Sequence, residues 1–117
     1  MYRLIGWTLV FMAAAVGSAL AEDISGRWSV DGQVTPICSF TQTDTTLTGS
    51  CAGPSASGPL TGTISGQNVQ WTYTWIGRPQ RTKGAFEFTG TVDGNRMTGT
   101  VLIDGKSQSF TARRTSR

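Results

Sequence analysis

Between residues 68 and 76 apolar and polar side chains trade places at every step, with Val69, Trp71, Tyr73 and Trp75 on one side and Gln70, Thr72 and Thr74 on the other. A period of two belongs to a half-buried strand. Residues 84–93 repeat it, setting Phe86, Phe88, Gly90 and Val92 against Ala85, Glu87, Thr89 and Thr91. Segments rich in threonine, valine and aromatics, separated by Gly, Asp and Asn, predict strands at about 24–31, 35–43, 46–52, 59–65, 68–76, 84–93, 96–103 and 106–114. No convincing helical pattern follows Ala21. The expected class is all-β.

A short repeat runs through these segments: Thr-Gly-Ser at 48–50 and Thr-Gly-Thr at 61–63, 89–91 and 98–100. The hydroxyl residues share one face of the strand and the glycine takes the other. The neighbouring aromatics put the glycines toward the core and the threonines toward solvent. A two-residue turn at Asp44-Thr45 would then set Phe40 against Gly49 and Cys38 against Cys51. Counted from the turn, the cysteines fall on a non-hydrogen-bonded pair, where Cα atoms approach to about 4.5 Å and a bridge can form. Closing so short a loop is worth about 3 kcal/mol on the chain-entropy model.

Turns at Gly66-Gln67 and Asp104-Gly105 extend the pattern. The first pairs Ile64 with Val69, Gly62 with Trp71 and Leu60 with Tyr73; the second pairs Val101 with Gln108 and Gly99 with Phe110. In three hairpins a core-facing glycine therefore sits opposite a large ring, which pins register and lets a sheet curve tightly. Such curvature favours an eight-stranded antiparallel up-and-down β-barrel. A two-sheet sandwich is the structural alternative. Closure would bring the last strand beside the first and put Arg114 within reach of Trp28, a guanidinium–indole contact worth about 0.5–2 kcal/mol.

Gly26-x-Trp28 in the first strand and Arg114 in "FTARR" of the last resemble the signature of the calycins, the superfamily of lipocalins, fatty-acid-binding proteins and avidins. The resemblance implies a closed barrel with one end plugged by the Trp28–Arg114 pair. "GQNVQWTYTW" followed by "FEFTGTV" is similar to the middle strands of avidins, whose tryptophans face the ligand; the first strand here lacks the asparagine and serine arrangement with which avidins grip biotin. Size and a single bridge also resemble the bacterial periplasmic metalloprotease-inhibitor barrels, although their bridge is wider. In that family the amino-terminal segment, here Glu22-Asp23-Ile24-Ser25, enters the protease cleft.

The start of the chain points to export. Arg3, an apolar run from Leu4 to Val16 and the small residues Ser18, Ala19 and Ala21 read as a signal peptide cut before Glu22, with a single domain at 22–117. The expected location is periplasmic or extracellular, where Cys38 and Cys51 would be oxidised. Ten Lys and Arg oppose seven Asp and Glu, and loss of Arg3 leaves a net +2. That balance argues for neither nucleic acid nor a membrane surface after cleavage.

Chemistry is sparse. Without histidine or clustered carboxylates, no general acid–base pair is visible, no metal site or cofactor is expected, and the reading is a non-enzyme. Trp71, Tyr73, Trp75, Phe86 and Phe88 are the expected wall of a site for a small apolar or aromatic ligand. The same rings, with Trp28, Phe40 and Phe110, could instead fill the barrel solidly. A second reading is an interaction or inhibitor barrel that meets a protein through its loops and amino terminus. Arg78, Arg81 and Lys83 form a possible basic loop, and "AGPSASGP", Ala52 to Pro59, reads as a small, polar rim connection or lid.

Overall fold

The alternation closes on itself. In the computed structural model, which describes residues 21–54, 56–77 and 83–117, the strands are β1 (Gly26–Gly32), β2 (Ile37–Thr43), β3 (Thr46–Ala52), β4 (Ala56–Ser65), β5 (Asn68–Gly77), β6 (Lys83–Asp93), β7 (Arg96–Ile103) and β8 (Lys106–Ser116). Each is antiparallel to the next and β8 returns to β1, so the sheet is a closed up-and-down barrel and not a sandwich. Among the described strands no sheet edge is left to pair with another chain.

Turn chemistry sets the register. Asp104 and Gly105 take positive φ angles of 51° and 79°, the left-handed pair that matches a two-residue hairpin to strand twist. Cys38 stands opposite Cys51 and Phe40 opposite Gly49; Gly62 faces Trp71 and Leu60 faces Tyr73; Gly99 faces Phe110. Cys38 and Cys51 are joined as a disulfide across a Cα separation of 4.0 Å. At Gly62 a methyl group would collide with the Gln70 carbonyl and the Trp71 Cβ, so an inward glycine is what lets the opposing indole fold into the barrel.

The two faces separate cleanly. Trp28, Phe40, Leu47, Leu60, Ile64, Trp71, Tyr73, Phe88, Val92, Met97 and Phe110 are buried in one core, while Thr48, Thr61, Thr89, Thr91, Thr98 and Thr100 are exposed. Several boundaries differ from expectation, with β2 starting at Ile37 rather than residue 35 and β8 running on to Ser116 rather than residue 114. Ile24 precedes β1 rather than beginning it, and β4 starts at Ala56 rather than Pro59. Ser57 pairs with Ile76 and Ala52 with Ser57, so most of the stretch expected as a lid is strand. Its small polar residues suggest a loop by composition, but backbone pairing needs no large side chain, and Gly58 allows the Thr74 carbonyl to approach.

The ends are unlike. At one end the amino-terminal segment lies across the barrel: the Glu22 amide donates to the Gly66 carbonyl at 2.9 Å, the Ile24 amide donates to Gln42 Oε1 at 2.8 Å, and the Ile24 side chain is fully buried. The other end is framed by the β1–β2 connection, the β3–β4 connection and the turn at 104–105.

Candidate functional site

Along β5 the inward positions climb from Trp71 through Tyr73 to Trp75, and along β6 from Phe88 through Phe86 to Gly84. The register sets Trp71 beside Phe88, Tyr73 beside Phe86 and Trp75 beside Gly84. The lower pair is stacked, with ring centroids 3.8 Å apart and planes 5° apart. Phe40 meets Trp71 edge-on at 5.1 Å, and Phe110 meets Phe88 edge-on at 5.0 Å. These four rings form a dry layer across the barrel, with Trp71 2% and Phe88 1% exposed. The structure therefore places Trp71 and Phe88 in the packed core below the site.

Above that layer the barrel opens. Tyr73, Trp75 and Phe86, with Val34, Pro36 and Ala56, line a cavity of about 310 Å³ at the mouth. Trp75 and Phe86 lie 5.8 Å apart with planes inclined by 23°, and Tyr73 meets Phe86 edge-on at 5.8 Å. Gly84 makes this arrangement possible: a methyl group there would fall 2.6 Å from Trp75 Cε2 and 2.7 Å from its Nε1. The indole thus rests on bare backbone. The Tyr73 hydroxyl donates to the Ala56 carbonyl at 3.0 Å, and burial pushes its phenol above the ordinary tyrosine range. Trp71 Nε1 and Trp75 Nε1 are buried and, among the described residues, have no hydrogen-bond partner.

The expected basic loop is only partly in view. Lys83 is exposed at the start of β6, opposite Ile76; Arg78 and Arg81, like residues 1–20 where a signal peptide is expected, lie outside the described residues. Gly84, Val34, Pro36 and Ala56 escaped the sequence reading. Gly84 shares the inward phase of Phe86 and Phe88, which was the signal available for it. The others come from connections, where no period marks the side that faces in. Among the described residues no cluster of His, Cys, Asp or Glu could hold a metal ion.

At the opposite end the Arg114 guanidinium lies 5.0 Å from the Trp28 ring centroid. Its Nε donates to Asn95 Oδ1 at 2.9 Å, one terminal nitrogen to the Ser25 carbonyl at 2.9 Å, and the other to the Gly94 carbonyl at 3.1 Å. Trp28 Nε1 donates to the Ile24 carbonyl at 2.9 Å. Burial lowers the pKa of Arg114, with a further push from Arg117 and opposition from Asp23 and Glu22, yet a guanidinium stays cationic at any ordinary pH. This group ties the amino-terminal segment, β1, β8 and the β6–β7 turn together. No protein-family model matches the chain, and no curated protein matches it significantly.

Proposed function

We propose that this chain is an exported, non-enzymatic binding barrel of calycin type that takes a small, flat apolar or aromatic ligand at its open mouth. The observation that carries the reading is the cavity of about 310 Å³ lined by the Tyr73, Trp75 and Phe86 rings, one step along β5 and β6 from the buried Trp71–Phe88 stack. Its size lies at the lower end for small-molecule sites, and apolar walls with a few polar tips suit such ligands. The packed rings of Phe40, Trp71, Phe88 and Phe110 below the mouth favour a short ligand over a long acyl chain. The calycin kinship draws support from the eight-stranded closed barrel and from the Trp28–Arg114 contact, and the disulfide is consistent with an oxidising, exported setting.

The alternative, an inhibitor whose amino terminus enters a protease, is less well supported. Glu22 and Ile24 are hydrogen-bonded across the closed end and Ile24 is buried, so releasing that segment would expose the bottom of the core. The test is titration of tryptophan emission in the 22–117 chain with flat probes such as indole and naphthol derivatives, and with a long-chain fatty acid as counter-probe. Saturable quenching by flat probes, abolished in Trp75→Ala and absent with the fatty acid, is the expected result. No saturable change with any flat probe, or saturable binding that survives Trp75→Ala, would defeat the proposal.

A further inference from the structure

The outer wall carries a second groove, of about 560 Å³, whose lining includes Ser29, Asp31, Arg96, Thr111 and Arg113. Over most of this wall the register partners are hydroxyls: Thr89 faces Thr100, Thr98 faces Thr111 and Thr100 faces Ser109. Here the pattern breaks. Arg96 stands directly opposite Arg113, and Arg113 is opposite Ser29 on β1. Like charges at directly opposed positions repel and weaken a sheet. An anion held between them reverses the sign of that interaction, because each guanidinium then gains a charge-assisted hydrogen bond.

One acid, Asp31, lines the groove, and a second, Asp93, lies next to it in the sheet. Asp93 is the register partner of Arg96, and Asp31 is the partner of Thr111. Arg113 has a second arginine and a serine as its register partners and no acid, so it is the stronger anion ligand of the two. The number of donors selects the anion. One guanidinium fork satisfies the two oxygens of a carboxylate, whereas two forks with the Ser29 and Thr111 hydroxyls beside them match a group with three or more acceptor oxygens. We propose that this groove is a subsite for a phosphate or sulfate group, clasped by Arg113 and Arg96 with Ser29 as a hydroxyl donor.

The experiment follows the arginine side-chain N–H resonances of the 22–117 chain during titration with inorganic phosphate, with acetate at matched ionic strength as the two-oxygen control. Arg113→Thr and Arg96→Thr place at each site the residue this wall already uses, and the unchanged backbone spectrum of each variant verifies its fold. Arg113→Lys keeps the charge and removes the fork. The expected result is saturable phosphate shifts at Arg113 and Arg96, a loss of about fivefold or more in affinity in Arg113→Thr, and a partial loss in Arg113→Lys. A parallel sedimentation arm with vesicles containing phosphatidic acid separates sources: free phosphate binding alone assigns a soluble anion, and binding in both arms assigns a headgroup, either of which upholds the subsite. Equal shifts with acetate, phosphate shifts that survive Arg113→Thr, or vesicle binding without any response to free phosphate would each overturn it.

Discussion

Replacing Arg114 with alanine removes one side chain that touches four residues in three parts of the barrel's closed end. The loss begins with the contact to the Trp28 ring, 5.0 Å from the guanidinium, worth about 0.5–2 kcal/mol. It continues with hydrogen bonds to Asn95 Oδ1 and to the Ser25 and Gly94 carbonyls. A hydrogen bond to a charged group contributes about 1.5–3 kcal/mol when both partners are kept from water. Here the bonds are only partly buried and water can reach the vacated acceptors, so their sum falls well below three full bonds. The expected loss is about 3 kcal/mol, which lowers the melting temperature by about 12–24 °C for a domain of this size. Arg114→Lys retains the charge over the indole but cannot reach all three acceptors, and about half the loss is expected. Thermal unfolding of the 22–117 chain by circular dichroism, checked by urea titration, reads both. An Arg114→Ala melting point within about 3 °C of the parent refutes the idea that this group holds the closed end together, and a lysine variant as damaged as the alanine one shows that geometry alone is at work.

Tyr73, Asp23 and the disulfide each give a further expected outcome. Tyr73 is the sole tyrosine after residue 21, so ultraviolet titration of the 22–117 chain reports it alone; with burial raising its pKa, its contribution to stability holds below the ordinary value of about 10 and disappears as pH rises through the folded one, and a midpoint at or below that of free tyrosine would contradict its placement. Asp23 has its pKa lowered by hydrogen bonding to Ser25, with smaller help from Arg114 and Arg117; its contribution is present above about pH 4 and is lost as pH falls through the folded pKa, so Asp23→Asn should flatten the acid limb of a melting-temperature profile, and a profile of unchanged slope speaks against that contact. Replacing both Cys38 and Cys51, separated by 13 residues, with serine should lower stability by about 3 kcal/mol, and a denaturant midpoint unmoved by the change would show that the bridge constrains nothing beyond what the β2–β3 hairpin already does.

What the sequence discloses about this fold is local chemistry with global reach. Each hairpin turn fixes its own register, and the pairing of Gly49 with Phe40, Gly62 with Trp71 and Gly99 with Phe110 follows by counting. Closure follows because strands curled around inward glycines in neighbouring hairpins have only one direction in which to bend. The site resists the same treatment. Period-two alternation tells which rings point inward, and it is correct for Trp71, Tyr73 and Trp75 alike. It does not tell how deep each ring sits, because depth depends on the tilt of the strands and on what the opposite wall supplies. Phe40 and Phe110 reach across from other strands to seal Trp71 and Phe88 into a floor, whereas Trp75 has Gly84 as its register partner on β6 and, among the described residues, meets the Phe86 ring only at 5.8 Å. The difference between core and cavity wall is thus made by the partner of each ring and not by the ring. The same reasoning accounts for the amino terminus: Ile24 continues the apolar pattern of β1 and reads as strand, but Trp28 Nε1 captures its carbonyl and Gln42 its amide, and the segment is turned across the end of the barrel as a plug. The anchoring group and the proposed binding mouth consequently occupy opposite ends of the barrel, separated by a layer of four packed rings, so the mouth can change its lining residues while the closed end keeps the barrel shut.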